Sequence, residues 1–281
     1  LGEMGLPIAT SRPDELPLAV RQLRDRQAEI ICIAGGDGTV HLTVQEIFRA
    51  YGLPPIPLVL PLPSGTMNNI ARATGYRGSP LQILRRLTNS YRLGRVEPGK
   101  ELLTLRIDDK RGFIFGLGFP VRLLEEYYRG WGRGRLKAAW VFLKTCWAVA
   151  RRDKSCRHTF AWLDWEVTID GVQLSLPRYN ALFCATVKDL GCGLKPTYRG
   201  SEIPGHFHAL ASALEPHHIP SVLPKVVRGV GTGSEKVCDR PARHVHIRAQ
   251  TPIPYFIDGE VYQDRQQITI EAGPPISIPS F

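Results

Sequence analysis

Residues 34–39 read Ala-Gly-Gly-Asp-Gly-Thr and follow directly on the apolar run Ile30-Ile31-Cys32-Ile33. Three glycines in four positions free the backbone to turn through positive φ and let a large anion come close. Val40 to Ala50 then repeats apolar side chains at helical spacing. A strand, a glycine turn and a helix start together make an anion site, because backbone N–H groups and the positive end of the helix dipole aim at one point. The chemistry implied is the cradling of phosphates by Gly35, Gly36, Gly38 and Thr39. Asp37 adds a carboxylate there, and a carboxylate beside phosphates calls for a cation between them, with Mg²⁺ the natural choice. The spacing is not the G-x-G-x-x-G dinucleotide fingerprint, nor a Walker A loop, since no Lys-Ser/Thr pair follows. A strand-to-helix turn with no ligand is the plain alternative.

A second block, Leu58-Val59-Leu60-Pro61-Leu62-Pro63-Ser64-Gly65-Thr66-Met67-Asn68-Asn69-Ile70-Ala71-Arg72, repeats the arrangement. Ser64, Thr66, Asn68 and Asn69 supply short hydrogen-bonding side chains, and helix capping is their plain alternative use. Two such turns after successive strands of a βαβ pattern lie side by side at the carboxyl edge of a sheet, where open α/β sheets bind ligands.

GGDGT followed by PSGTMNNIAR resembles the diacylglycerol kinase catalytic-domain family, which also holds sphingosine and ceramide kinases and bacterial lipid kinases. Ile257-Asp258-Gly259-Glu260 resembles the family's late Asp-Gly-Glu, and a Gly-x-Gly-Phe stands at 116–119. The resemblance implies transfer of the γ-phosphoryl group of ATP, with Mg²⁺, to a hydroxyl of diacylglycerol or a related long-chain lipid. Phosphates are then cradled by residues 35–39 on one wall and by Ser64, Gly65, Thr66 and Asn68 on the other, and Asp37 orients the metal. Asp258 becomes the general base and Glu260 its metal or orienting partner. Residues i and i+2 of a strand share a face, so both carboxylates can enter one cleft. An Asp-Gly hairpin turn is the alternative for this pair.

The chain departs from the family pattern in several places. The usual G-T-G-N-D turn reads Gly65-Thr66-Met67-Asn68-Asn69, so the last carboxylate is an amide. Arg92 stands where members often carry Asp, and no Asp-Asp-Gly segment follows Pro196, so a structural Mg²⁺ is not expected. The family pattern opens on a strand and an Asn-Pro-x-Ser-Gly-type loop, whereas this sequence starts just before the second strand. The NAD kinase family also carries a GGDG turn, and a degenerate nucleotide- or lipid-binding protein on the same fold is a further reading.

The elements that must position these residues fall into two halves. Residues 1–97 alternate strand and helix: helices over Leu16–Asp25, Thr39–Ala50, Asn68–Thr74 and Pro80–Leu87, strands over Ile30–Ala34 and Leu58–Leu60, and a short one around Ile8. This predicts an α/β nucleotide-binding domain of the NAD kinase/diacylglycerol kinase type with a mostly parallel sheet. Residues 98–281 change to a period of two and predict an antiparallel β-sandwich that takes the lipid acceptor, its tail a candidate to return to the first domain. Strands are expected over Leu103–Ile107, Phe113–Phe115, Trp165–Ile169, Val172–Leu176, Ala181–Thr186, His244–Ala249, Tyr255–Ile257 and Gln267–Ile270. Between them, Val121–Arg152 is helical and mixes Arg129, Arg133, Arg135, Lys137, Lys144, Arg151 and Arg152 with Trp131, Trp140, Phe142 and Trp147. That mixture fits an interfacial membrane helix, or else tryptophans packed on the sandwich below solvated charges.

With 281 residues, 43% of them hydrophobic, the chain has ample material for a core. A net charge of +10 favours acidic partners, among them anionic phospholipid and phosphorylated substrates, while no nucleic-acid recognition motif is present. No apolar run reaches the ~18 residues of a membrane span, and no signal-peptide pattern opens the chain. Six scattered cysteines without a C-x-x-C pair fit a reducing cytoplasm, with the enzyme peripheral to the inner face of the membrane. The histidines at 206, 208, 217, 218, 244 and 246 lack a Cys or carboxylate in ligand spacing and read as solvated or capping residues.

Overall fold

The computed structural model describes residues 5–129, 134–151, 153, 156–191 and 193–281. Trp131, Arg133, Arg152 and Cys192 lie outside the described residues, as do the side chains of Arg135 and Cys156. The chain divides into two compact units, residues 1–104 with 274–281, and residues 105–273.

The first unit contains α1 (Leu16–Asp25), β1 (Ile30–Gly35), α2 (Asp37–Tyr51), β2 (Leu58–Pro63), α3 (Asn69–Ala73), α4 (Pro80–Arg92) and most of β3 (Glu97–Ile107). β1 and β2 pair in parallel, from Ile30 opposite Leu58 to Gly35 opposite Pro63, so both strands end level. Burial follows the sequence periods. Ile31 and Ile33 of β1 are buried, as are Val40, Val44, Ile47 and Phe48 along one stripe of α2. Helix α4 starts at a capping box: the Ser79 hydroxyl accepts from the Gln82 N–H at 3.3 Å, and the Gln82 side chain accepts from the Ser79 N–H at 2.8 Å. The strand expected around Ile8 is absent, since residues 5–10 are irregular. A single isoleucine beside Pro7 has no alternating pattern to hold it in a sheet. The chain's last residues belong to this unit: Phe281 stacks on Tyr76 with ring centres 4.3 Å apart, and the Tyr76 hydroxyl donates to the Pro279 carbonyl at 2.7 Å.

The second unit contains β4 (Lys110–Gly112), β5 (Ile114–Gly118), α5 (Phe119–Tyr128), α6 (Arg135–Ala150), α7 (Cys156–Thr159), β6 (Trp165–Ile169), β7 (Val172–Gln173), β8 (Ala181–Ala185), β9 (Phe207–Ser212), α8 (Ile219–Arg228), β10 (Val237–Ala242), β11 (His244–Ile257) and the start of β12 (Glu260–Ser280). Its strands form one continuous sheet in the order β10-β9-β8-β5-β11-β12-β3-β4, with β6 added on β11 and β7 on β6. The long strand β11 explains how one sheet makes a sandwich. Its first part pairs with β6, Val245 opposite Ile169, and its last part with β5, Tyr255 opposite Leu117. Register shifts lie between these two parts, after Arg248, so the strand bends and serves both layers. Trp165 and Val167 of β6 thereby share one core with Leu182 of β8 and Phe207 of β9. Among the described residues no helix is long and apolar enough to cross a membrane.

Candidate functional site

In the first unit the two glycine turns meet back to back. A Cβ added to Gly65 would lie 2.9 Å from the Gly36 nitrogen and 3.1 Å from Asn68 Oδ1, so only glycine allows this approach. Asn68 adopts the left-handed conformation, φ 55°. Its side chain closes the turn from both ends, accepting from the Gly65 N–H and donating to the Gly65 carbonyl, each at 2.7 Å. Asp37, at the start of α2, reaches across to α3 and accepts the backbone N–H groups of Asn69 at 3.1 Å and Ile70 at 3.0 Å. One carboxylate thus locks the β1 turn to the β2 turn and caps a second helix.

Gly35, Gly36, Asp37, Gly38, Thr39, Ser64, Gly65, Thr66 and Asn68 therefore come together at the carboxyl ends of β1 and β2. Gly36 is the N-cap of α2 and, being glycine, supplies no side-chain cap to the helix start. Thr39 and Ser64 are exposed at this edge. The arrangement suits an anion with several oxygens. It suits Mg²⁺ less directly: both Asp37 oxygens already accept a backbone N–H, which fits a carboxylate that meets a hydrated ion through water. Asn69, the amide in place of the family's carboxylate, is buried and accepts from Arg72 at 2.7 Å, a pairing that needs no metal. Arg92 is exposed at the end of α4.

In the second unit Asp258 and Glu260 do not share a strand face. Asp258 and Gly259, with φ of 50° and 95°, form the tight turn between β11 and β12, and Ile257 pairs with Glu260 across it. The hairpin alternative holds because an Asp-Gly pair accepts two left-handed residues in succession more readily than a continuing strand does. Asp258 is 4% exposed and accepts from the Phe113 N–H at 3.0 Å and the Ile114 N–H at 2.8 Å. Glu260 is exposed at the first position of β12. Two tyrosines that no motif singles out attend this turn. The Tyr128 hydroxyl donates to the Gly259 carbonyl at 3.1 Å. Tyr262 stacks on Tyr255, and its hydroxyl is pushed up to about 12 by burial first and then by the charges of Glu260, Asp258 and Asp109.

The histidines divide. His208 is fully buried, not solvated, and its Nε2 lies 2.9 Å from the Asp239 carboxylate, which also accepts from the Tyr198 hydroxyl at 3.1 Å. Burial raises the Asp239 carboxyl, but the hydrogen bond and charge of His208, with Tyr198 and Arg199, outweigh it and hold the group below its usual range. His217 and His218 do have a carboxylate neighbour, Glu215, with ligand atoms all within 4.8 Å. That carboxylate is held by Lys236 at 2.7 and 2.8 Å.

Residues 6–96 match the family described as the diacylglycerol kinase catalytic domain. The chain therefore carries a kinase-family domain. Solved structures extend the likeness to the fold of the whole chain. A diacylglycerol kinase from Bacillus anthracis str. Sterne aligns over 97% of this chain and 82% of its own, with a TM-score of 0.64 and 14% identity. Another structure from that organism, provisionally described as a diacylglycerol kinase, aligns over 94% of this chain and 81% of its own, at 0.67 and 14%. A third, with the same provisional description, covers 95% and 82%, at 0.66 and 16%. No curated protein matches the sequence.

Proposed function

We propose that this protein is an ATP-dependent lipid kinase that transfers the γ-phosphoryl group to a hydroxyl of diacylglycerol or a related long-chain lipid. The observation that carries this reading is the pair of glycine turns locked together at the ends of β1 and β2, within the kinase-family segment. The α2 start and the backbone of Gly36 and Gly38 hold phosphate oxygens, with the hydroxyls of Thr39, Ser64 and Thr66 at the rim. Mg²⁺, when bound with the nucleotide, would screen the phosphate charge, with Asp37 as its candidate partner through water. Asp258 is the candidate base. The enzyme works at the inner face of a membrane, from the cytoplasm.

A second reading, a nucleotide- and lipid-binding protein without transfer, is favoured by one observation: the carboxylates of both Asp37 and Asp258 hold backbone N–H groups. Phosphoryl transfer from γ-labelled ATP with Mg²⁺ to diacylglycerol, sphingosine, ceramide and undecaprenol in mixed micelles separates the two. Label in one lipid supports the kinase and names its acceptor. ATP binding with no label in any lipid supports the binding protein. Asp258→Asn is expected to abolish transfer and also to lower stability by about 1–3 kcal/mol, because an amide leaves one buried N–H facing a donor. Urea unfolding reads the second effect apart from the first, and transfer retained in the folded variant removes Asp258 from the chemistry.

A further inference from the structure

Helix α6 carries apolar side chains on two opposite sides. Val141 and Val149 are buried, and Val149 packs with Phe160, Phe119 and Ile219. On the opposite side Leu136, Trp140, Leu143 and Trp147 are 88%, 61%, 63% and 62% exposed. At helical spacing these four side chains fall within about 60° of arc, one stripe along the helix. Single exposed hydrophobics are ordinary on protein surfaces, but four large ones in one line are not.

The surroundings say what covers them. Residues 135–150 contain no Asp or Glu. Lys144 lies over the Trp140 ring at 5.3 Å and Arg151 over the Trp147 ring at 4.4 Å, so cations flank the stripe. Glu126 of α5 pairs with Lys144 of α6 and with Arg129, each at 3.5 Å, and Asp153 follows the helix end, its N–H donating to the Ala148 carbonyl. A second copy of the chain would set one basic rim against another, which opposes pairing. A bilayer offers both what the stripe lacks and what the rim attracts. Indole rings settle at headgroup depth, leucines reach the acyl boundary, and lysine and arginine meet lipid phosphates.

We infer that the Leu136–Trp140–Leu143–Trp147 face of α6 docks on the surface of a bilayer containing anionic phospholipid. The helix lies in the interface and does not cross it. Docking needs no nucleotide and no phosphoryl transfer, so it stands or fails separately from the kinase reading.

The test is sedimentation of the full chain, without ATP, with vesicles of phosphatidylcholine alone and of phosphatidylcholine with phosphatidylglycerol. Binding is expected on the anionic vesicles, with a blue shift of tryptophan emission. Trp140→Ala with Trp147→Ala is expected to weaken it by about tenfold or more, since two large side chains lose their burial. The wild-type far-UV spectrum and Tm are expected to persist, because both residues are exposed. Lys144→Gln with Arg151→Gln is expected to weaken binding to anionic vesicles only. Failure of the wild type to bind either vesicle, or equal binding by the tryptophan variant, overturns the proposal. So does a wild-type dimer that the tryptophan variant splits into monomers, which would make the face a contact between copies.

Discussion

Asp37, Asp170 and Asp258 each precede a glycine, and each spends its carboxylate in the same way. Asp37 accepts the N–H groups of Asn69 and Ile70, Asp170 those of Arg243 and His244, and Asp258 those of Phe113 and Ile114. In every case the two donors are consecutive backbone groups of a segment remote in sequence. Consecutive N–H groups that point the same way make an anion-binding concavity, and here the protein's own carboxylate fills it. Nothing in the spacing of Asp-Gly announces this use. The glycine turns are more legible, though not through positive φ, which none of Gly35, Gly36, Gly38 and Gly65 adopts: it is the close approach of Gly65 to Gly36 that leaves glycine no substitute. Gly65→Ala forces a Cβ into the Gly36 backbone and is expected to destabilise the first unit by about 1–3 kcal/mol, with loss of ATP affinity. Thermal unfolding with and without ATP would read it, and a variant with unchanged Tm and affinity would mean that the turns do not touch in solution.

At the scale of elements, periodic sequence is legible and irregular sequence is not. Helix α1 has the bounds its apolar spacing predicts, and β6 has those of its alternation. Strand β9, Phe-His-Ala-Leu-Ala-Ser, is buried along its whole length and so carries no alternation to mark it in the sequence. Strand β10 was hidden by Asp239 and Pro241, and it lies at the end of the strand order, an edge position where proline is tolerated. The tryptophans of α6 left two readings open, and the structure settles one point: Trp140 and Trp147 do not pack on the sheet. Helix α4 depends on its start. Ser79→Ala removes the cap from Gln82 and is expected to lower stability by about 1 kcal/mol. A urea midpoint unchanged from wild type would show that the capping box is idle.

For the molecule as a whole, the half-buried cluster around Asp239 contributes to acid sensitivity. The folded Asp239 carboxyl titrates below the value it has in the unfolded chain. Its contribution is therefore fully present above the ordinary carboxylate value and is lost as pH falls through the lower folded value. Urea midpoints are expected to fall below about pH 4, and less steeply in Asp239→Asn, which cannot titrate. Equal slopes would assign the acid loss to other carboxylates.

The pinned Asp-Gly turns bear also on how the molecule ages. An aspartate before a glycine is the dipeptide most prone to isomerise, because the glycine nitrogen can swing onto the side-chain carboxyl carbon and close a succinimide ring. That attack needs a loose backbone and a carboxyl group able to rotate. At Asp258 both are withheld: the side chain is held by Phe113 and Ile114, and the turn is fixed by the strands on either side. The same hydrogen bonds that organise the fold thus act as a preservative, and isoaspartate is expected to accumulate at these three sites only after the protein unfolds.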